Sequence, residues 1–133
     1  MNGPREHARG LLEKAAHDLV AADATIATGK ALDTVCFHAQ QAAEKSLKAL
    51  LALKDIEYPW RHDIGELLAL AAPHFPELAP LEERLLLLAP YAVEIRYGLV
   101  MTPGLDETRS ALETARQVYE VAERWIGPAG DAR

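Results

Sequence analysis

The stretch from residue 37 to residue 51 most constrains what this chain can fold into. It reads FHAQQAAEKSLKALL, has no glycine or proline, and consists mostly of residue types that favour the α-helix. At about 100° per residue its small and apolar side chains share one face, and these are Ala39, Ala43, Ser46, Leu47 and Leu50. The roughly opposite side carries Phe37, Gln41, Glu44 and Lys48. The stretch predicts a helix with one closely packing face and one polar stripe.

Two interpretations of the polar stripe remain open. A fully solvated face rarely needs a phenylalanine, so Phe37 favours a stripe that meets a partner subunit or lines a cleft. The alternative is a surface helix on which Glu44 and Lys48 form an i,i+4 ion pair, worth a few tenths of a kcal/mol.

Length, charge and cysteine content restrict the class of protein. A chain of 133 residues suits one domain that buries a core without disulfides. The lone Cys36, the lack of a membrane-length apolar run and an N-terminus unlike a signal peptide predict a cytoplasmic protein without a membrane partner. The net charge of −6 argues against broad nucleic-acid binding, and we expect no DNA partner.

Apolar periodicity and stop residues predict four substantial helices and one short one. Their approximate bounds are 4–28, 31–54, 63–71, 80–98 and 106–126. The first ends at Gly29, and we expect its wet side to carry Glu13, Lys14, Asp18 and Asp23.

Capping residues and prolines refine these bounds. Asp33 and Asp106 are predicted N-caps, and Asp63 with Glu66 resembles a capping box. Pro90 should bend the fourth helix. The prediction is an all-α, antiparallel up-down four-helix bundle with an additional short helix, ordered over about 4–127 and followed by a disordered tail.

The histidines and the loops lack the common enzyme signatures. No metal-ligand spacing joins His7, His17, His38, His62 and His74, although His17 and His38 could approach each other across the first two helices. The chain has no glycine-rich phosphate loop and no nucleophile elbow. We therefore expect neither a metal nor a cofactor.

Two clusters remain as candidates for binding. The segment from Tyr58 to Asp63 crowds aromatic and cationic groups before a helix start, where they either stack on a base and hold a phosphate or plug the bundle end with Trp60. Arg96, followed by Tyr97, either complements a helix dipole or binds a phosphate with its planar fork.

Three segments together resemble the HEPN domain family, whose name abbreviates "higher eukaryotes and prokaryotes nucleotide-binding". They are AQQAAEKSLKAL at 39–50, RHDI at 61–64 and IRY at 95–97. The resemblance spans the first helix to the last and implies a compact helical bundle, usually a homodimer. It also implies a nucleotide or RNA role, often beside a small, separately encoded nucleotidyltransferase in a prokaryotic toxin–antitoxin pair.

One departure from the family pattern concerns activity. In nuclease members, an arginine, four to six residues and a histidine form a metal-independent ribonuclease site across the dimer. Arg96 matches the arginine, but no histidine occurs after His74. The general acid/base of that cleavage is missing from its motif position, and only His62 is placed to fold back towards Arg96.

These observations lead to one hypothesis and two alternatives. The hypothesis is a nucleotide- or partner-binding subunit of a two-component system rather than an enzyme. Its predicted cleft consists of Arg96, Tyr97, Gln41, Glu44, Lys48, Arg61 and His62. Its predicted dimer or partner face consists of Phe37, Gln41 and Trp60. The alternatives are a ribonuclease that uses His62 or Tyr97 instead, and a purely structural module that binds a transferase through Phe37.

Overall fold

Every regular element that the structure describes is helical. The architecture comes from a computed structural model and is described for residues 3–59, 61, 63–92 and 103–127. The α-helices in these ranges are α1 (Pro4–Ile26), α2 (Leu32–Leu53), α3 (Ile64–Ala71), α4 (Glu82–Leu86) and α5 (Leu105–Ile126). Short 3-10 helices cover Ala72–His74, Pro76–Leu81 and Ala89–Ala92. The all-α prediction is confirmed, whereas the predicted C-terminal tail lies outside the described residues.

The central helix of the bundle is α2, which packs against α1, α3 and α5. It runs parallel to α5, since Cys36 near its start contacts Thr108 near the start of α5. At the other end, the Lys54 ammonium lies 5.3 Å from the centre of the Trp125 ring. The predicted close-packing face is buried as expected, namely Ala39, Ala43, Ser46, Leu47 and Leu50.

The connection between α1 and α2 confirms one prediction and corrects another. Gly29 has a φ of +72°, the left-handed conformation that suits a residue after a helix end. Asp33, however, does not cap α2. Ala31 is the N-cap, with a φ of +54°, and its carbonyl accepts hydrogen bonds from the amides of Thr34 and Val35. The left-handed turn at Ala31 starts the helix two residues earlier than a cap at Asp33 would.

The predicted N-cap is confirmed at the start of α3 and wrong at the start of α5. At α3 the Asp63 carboxylate accepts a hydrogen bond from the Glu66 amide at 3.0 Å, which confirms the predicted cap. At α5 the predicted cap by Asp106 is wrong. Gly104 is the N-cap, and its carbonyl accepts from both the amide and the hydroxyl of Thr108. Asp106 instead lies in the first turn, where a carboxylate complements the helix dipole.

The predicted fourth helix is much shorter than expected. Its α-helical part ends at Leu86, and a turn then leads into the 3-10 helix Ala89–Ala92. Pro90 explains the break, because it has no amide proton to donate to the Leu86 carbonyl. Residues 72–79, which lie between two predicted helices, form 3-10 turns. The rest of the predicted helix, 93–98, lies outside the described residues.

Candidate functional site

A chain of polar side chains runs along one side of α2 inside the bundle. The Gln41 amide donates to Gln40 Oε1 at 2.8 Å, and the Gln40 amide donates to Glu44 Oε2 at 2.9 Å. The Lys48 ammonium donates to Glu44 Oε1 at 3.0 Å. We call these four residues the α2 polar wall. They connect the helix interior to its more accessible side.

Burial makes the α2 polar wall different from a surface helix face. Gln40 is completely buried and Glu44 is 1% exposed. A buried carboxylate is costly unless an ion pair and hydrogen bonds compensate for its lost hydration. Lys48 and Gln40 supply both here, so the ammonium of Lys48 is held in one place. The predicted Glu44–Lys48 pair is confirmed, but the prediction of an exposed pair is wrong.

The sequence analysis assigned no role to Gln40, although a signal was present. Gln40 lies seven residues before Leu47, and Glu44 lies seven residues before Leu51. Because seven residues make about two helical turns, all four lie on neighbouring parts of one helix face. Two polar residues among buried leucines at this spacing indicate a polar group inside a core. The predicted polar stripe ran from Phe37 through Gln41 and therefore did not include Gln40.

The wall ends at the ring of Tyr58, which follows α2. The Lys48 ammonium lies 5.7 Å from the centre of that ring, within the range of a cation–π contact. Burial raises the pKa of the Tyr58 phenol, so this side chain stays neutral well above pH 7. Lys48 is therefore fixed by a carboxylate on one side and an aromatic face on the other.

Lys48 and Tyr58 also line an open cleft of about 1130 Å³ between the start of α1 and the end of α2. We call it the α1–α2 cleft. From α1 it is lined by Gly3, Pro4, Glu6, His7 and Leu11. From α2 and the following loop it is lined by Lys48, Ala52, Asp55, Ile56, Glu57 and Tyr58. Its volume exceeds that of an ordinary small-molecule pocket.

Other predicted site residues have separate contacts. Arg61 is exposed and donates to both carboxylate oxygens of Glu66, at 2.8 and 2.9 Å. This pairing raises the pKa of the guanidinium and ties Arg61 to the first turn of α3. Phe37 is half-buried, and its ring meets the edge of the neighbouring His38 ring at 5.6 Å between centroids. Its role as a partner face stays a prediction.

Four predicted site residues lie outside the described residues. They are Trp60, His62, Arg96 and Tyr97. The proposed approach of His62 to Arg96 and the role of Arg96 in phosphate binding therefore stay predictions.

A second polar cluster lies on the side of α2 that faces α1. The Asp18 carboxylate pairs with His38 Nδ1 at 2.8 Å and accepts from the Lys45 ammonium at 2.6 Å. Asp18 is 8% exposed, so its predicted position on the wet side of α1 is wrong. Its spacing from Ala15 and Ala22 signals the buried face. His38 thus pairs with Asp18, and His17 is exposed.

The sulfur of Cys36 lies between α2 and α5. It is buried, and its contact is the Thr108 hydroxyl at 3.6 Å. Burial raises the pKa of the thiol, which keeps it protonated and poorly nucleophilic. Nearby, the buried Tyr91 hydroxyl donates to the Glu107 carboxylate.

Metal-binding clusters and membrane-spanning helices are both absent from the described part of the chain. Among these residues, no three histidine, cysteine or acidic side chains gather closely enough to hold a metal ion. No helix among them combines the length and the apolar character needed to cross a membrane.

Comparison with known families decides what kind of domain carries this site. The model of the HEPN domain family matches residues 8–125, which is most of the chain. The chain belongs to the HEPN domain family. The match covers the whole of α2, and it confirms the family resemblance drawn from the three sequence segments. No curated protein and no solved structure matches the chain. For this HEPN domain, the described residues of the predicted cleft are Gln41, Glu44 and Lys48 of the wall, together with Arg61.

Proposed function

We propose that this HEPN domain is the nucleotide-binding subunit of a two-component nucleotidyltransferase system of the toxin–antitoxin type. In this proposal the α2 polar wall forms one side of the nucleotide site, and Arg96 supplies the guanidinium that binds phosphate. From membership in this family we expect a second copy of the chain and a separate nucleotidyltransferase as partners. The chain acts by binding rather than by catalysis.

The α2 polar wall is the observation that carries the proposal. A helix in the middle of a bundle would be more simply built with apolar residues, because isosteric apolar replacement of a buried ion pair is often neutral or stabilising. Here the helix instead buries Glu44 and Gln40 and holds Lys48 at the edge of a cleft. A fully hydrogen-bonded buried network holds its polar groups in fixed positions, which is what a ligand site requires.

Binding is favoured over RNA cleavage by two features. The sequence has no histidine beyond His74, so Arg96 lacks the acid/base partner that the nuclease motif requires. Of the histidines described in the structure, His38 pairs through Nδ1 with Asp18 in the helix contact between α1 and α2. His38 is therefore part of a helix contact and is not placed as a proton-transfer group for the wall.

Nucleotide titration tests the proposal. ATP is titrated by calorimetry into the full chain, into Arg96→Ala and into the control Arg109→Ala, which removes an exposed arginine of α5. We expect Arg96→Ala to weaken binding about tenfold or more, since a charge-assisted hydrogen bond contributes about 1.5–3 kcal/mol. The melting temperature should change by less than about 2 °C. A large loss of stability with unaltered binding would make Arg96 structural.

An RNA cleavage assay separates binding from catalysis. A structured RNA is incubated in chelator with the purified protein and, in parallel, with Arg96→Ala. The proposal predicts no cleavage by either. Cleavage that the Arg96→Ala variant loses would identify an active ribonuclease with a substituted acid/base group.

A further inference from the structure

The α1–α2 cleft has a charge pattern that differs from that of a phosphate site. Three carboxylates line it, from Glu6, Asp55 and Glu57, and all three residues are exposed. Lys48 is the only lysine or arginine among the described lining residues. The cleft is therefore negative at its rim.

The positive groups near the cleft are already engaged. The Lys48 ammonium is paired with Glu44 at 3.0 Å and lies over the Tyr58 ring. Lys54, the C-cap of α2, places its ammonium between 5.3 and 5.7 Å from the ring centres of Trp125 and Phe75. Each of these two lysines thus has a partner of its own within the protein, so it offsets the three carboxylates of the rim only in part.

The end of α2 adds to the negative potential. The last turn of α2 contains no basic residue, so no cationic side chain within that turn offsets the partial negative charge of the helix end. Asp55 follows this turn directly. A cation in the cleft would meet both the carboxylates and the helix end.

The floor of the cleft is apolar. Leu11 of α1 and Ile56 after α2 are half-buried and pack on the core, and the buried Ala52 in the last turn of α2 also lines the cleft. An apolar floor below an acidic rim is complementary to a peptide that alternates apolar and basic side chains. The apolar groups would supply affinity by burial, and the basic groups would supply selectivity and a faster encounter.

From this arrangement we infer that the α1–α2 cleft is an interaction surface for a basic peptide segment of a partner protein. The segment carries lysine or arginine side chains towards Glu6, Asp55 and Glu57, and one or two apolar side chains towards Leu11 and Ile56. The inference does not rest on the proposed nucleotide site, because the groups that it uses are the acidic rim and the apolar floor.

Fluorescence anisotropy with synthetic peptides tests this inference. The probe is a short fluorescein-labelled peptide that alternates lysine and leucine, and its control has glutamate in place of lysine. The test variant is Asp55→Asn/Glu57→Gln, which keeps side-chain shape and suits the left-handed backbone at Asp55. The matched control, Glu83→Gln/Glu120→Gln, makes the same change in net charge at exposed residues elsewhere.

The basic peptide should bind the native protein and lose at least about fivefold in affinity in Asp55→Asn/Glu57→Gln, since this variant removes two exposed charge pairs with the peptide. The matched control should retain native affinity, and the glutamate peptide should not bind. Absence of binding by the basic peptide, or an equal loss in both double variants, would overturn the inference. Preferential binding of the glutamate peptide would overturn it as well and would indicate an anion site.

The nucleotide titration stays an independent measurement. If ATP binds normally to Asp55→Asn/Glu57→Gln while the peptide does not, the two sites are separate and both proposals stand. If the native protein binds ATP but not the peptide, only the inference about the cleft fails.

Discussion

Two polar clusters on α2 differ in the direction of their described hydrogen bonds. In the cluster facing α1, the Asp18 carboxylate binds His38 and Lys45 of α2, so its hydrogen bonds join two helices. In the α2 polar wall, Gln40 and Lys48 bind the Glu44 carboxylate from within α2. Each carboxylate meets a lysine. The described hydrogen bonds of the first cluster cross between α1 and α2, whereas those of the wall run along α2. We propose a mainly structural role for the first cluster and keep the ligand-binding role proposed above for the wall.

The largest expected effect is the loss of Asp18. Asp18→Ala removes the acceptor for His38 and Lys45, whose side chains are 27% and 28% exposed. Stability should fall by about 2–3 kcal/mol, because two partners in a partly buried contact lose their carboxylate. Urea unfolding followed by circular dichroism measures this. A loss below about 0.5 kcal/mol would show that the cluster is not a structural link, and would remove the contrast with the wall.

The next prediction compares two lysines of α2. Lys48→Met should weaken ATP binding about tenfold and lower stability by about 1–2 kcal/mol, since Glu44 stays buried without its ammonium. Lys45→Met should lower stability by a similar amount and leave ATP binding unchanged. Calorimetric titration and urea unfolding of both variants check the pair of outcomes. Equal effects on binding would contradict the separate roles of the two clusters.

The smallest expected effect concerns Tyr58. Its ring contacts the Lys48 ammonium, and burial raises its phenol pKa, so the hydroxyl stays neutral and the ring is the functional part. Tyr58→Phe should bind ATP as the native protein does, whereas Tyr58→Leu should lose about twofold to fivefold for a contact of about 0.5–1 kcal/mol.

The pH dependence of the same titration checks that the pKa of Tyr58 is raised rather than lowered. Burial raises the pKa of the Tyr58 phenol above the ordinary tyrosine value of about 10, so the phenol stays un-ionised between pH 7 and pH 9. Over this range, binding by the native protein and by Tyr58→Phe should therefore change in parallel. A loss of binding with rising pH in the native protein alone would mean that the phenol ionises and takes part.

Sequence reasoning succeeded where local chemistry decides the structure. The helix over 37–51, the left-handed Gly29 and the cap at Asp63 depend on side chains within a few residues of one another. It failed at Asp33 and Asp106 because the helix start is set there by the backbone of Ala31 and Gly104, which needs no capping side chain.

The candidate site was predicted only in part for a different reason. Polar residues on a helix were assigned to solvent or to a cleft, but their burial depends on which helix packs beside them. Asp18 is buried because α2 provides a histidine and a lysine at the matching height. Gln40 tolerates burial because its amide donates a hydrogen bond to the Glu44 carboxylate. Such pairings between or along helices are not visible in the apolar periodicity alone.

The most direct test of the account is an NMR titration of the side-chain amides with ATP. The chain has three glutamines, and two of them, Gln40 and Gln41, belong to the α2 polar wall. The third, Gln117, donates to Glu113 on α5 and serves as the internal control. The account predicts that ATP shifts the amide signals of Gln40 and Gln41 and leaves Gln117 unchanged. Saturating ATP that moves neither wall signal, or moves Gln117 equally, would contradict it.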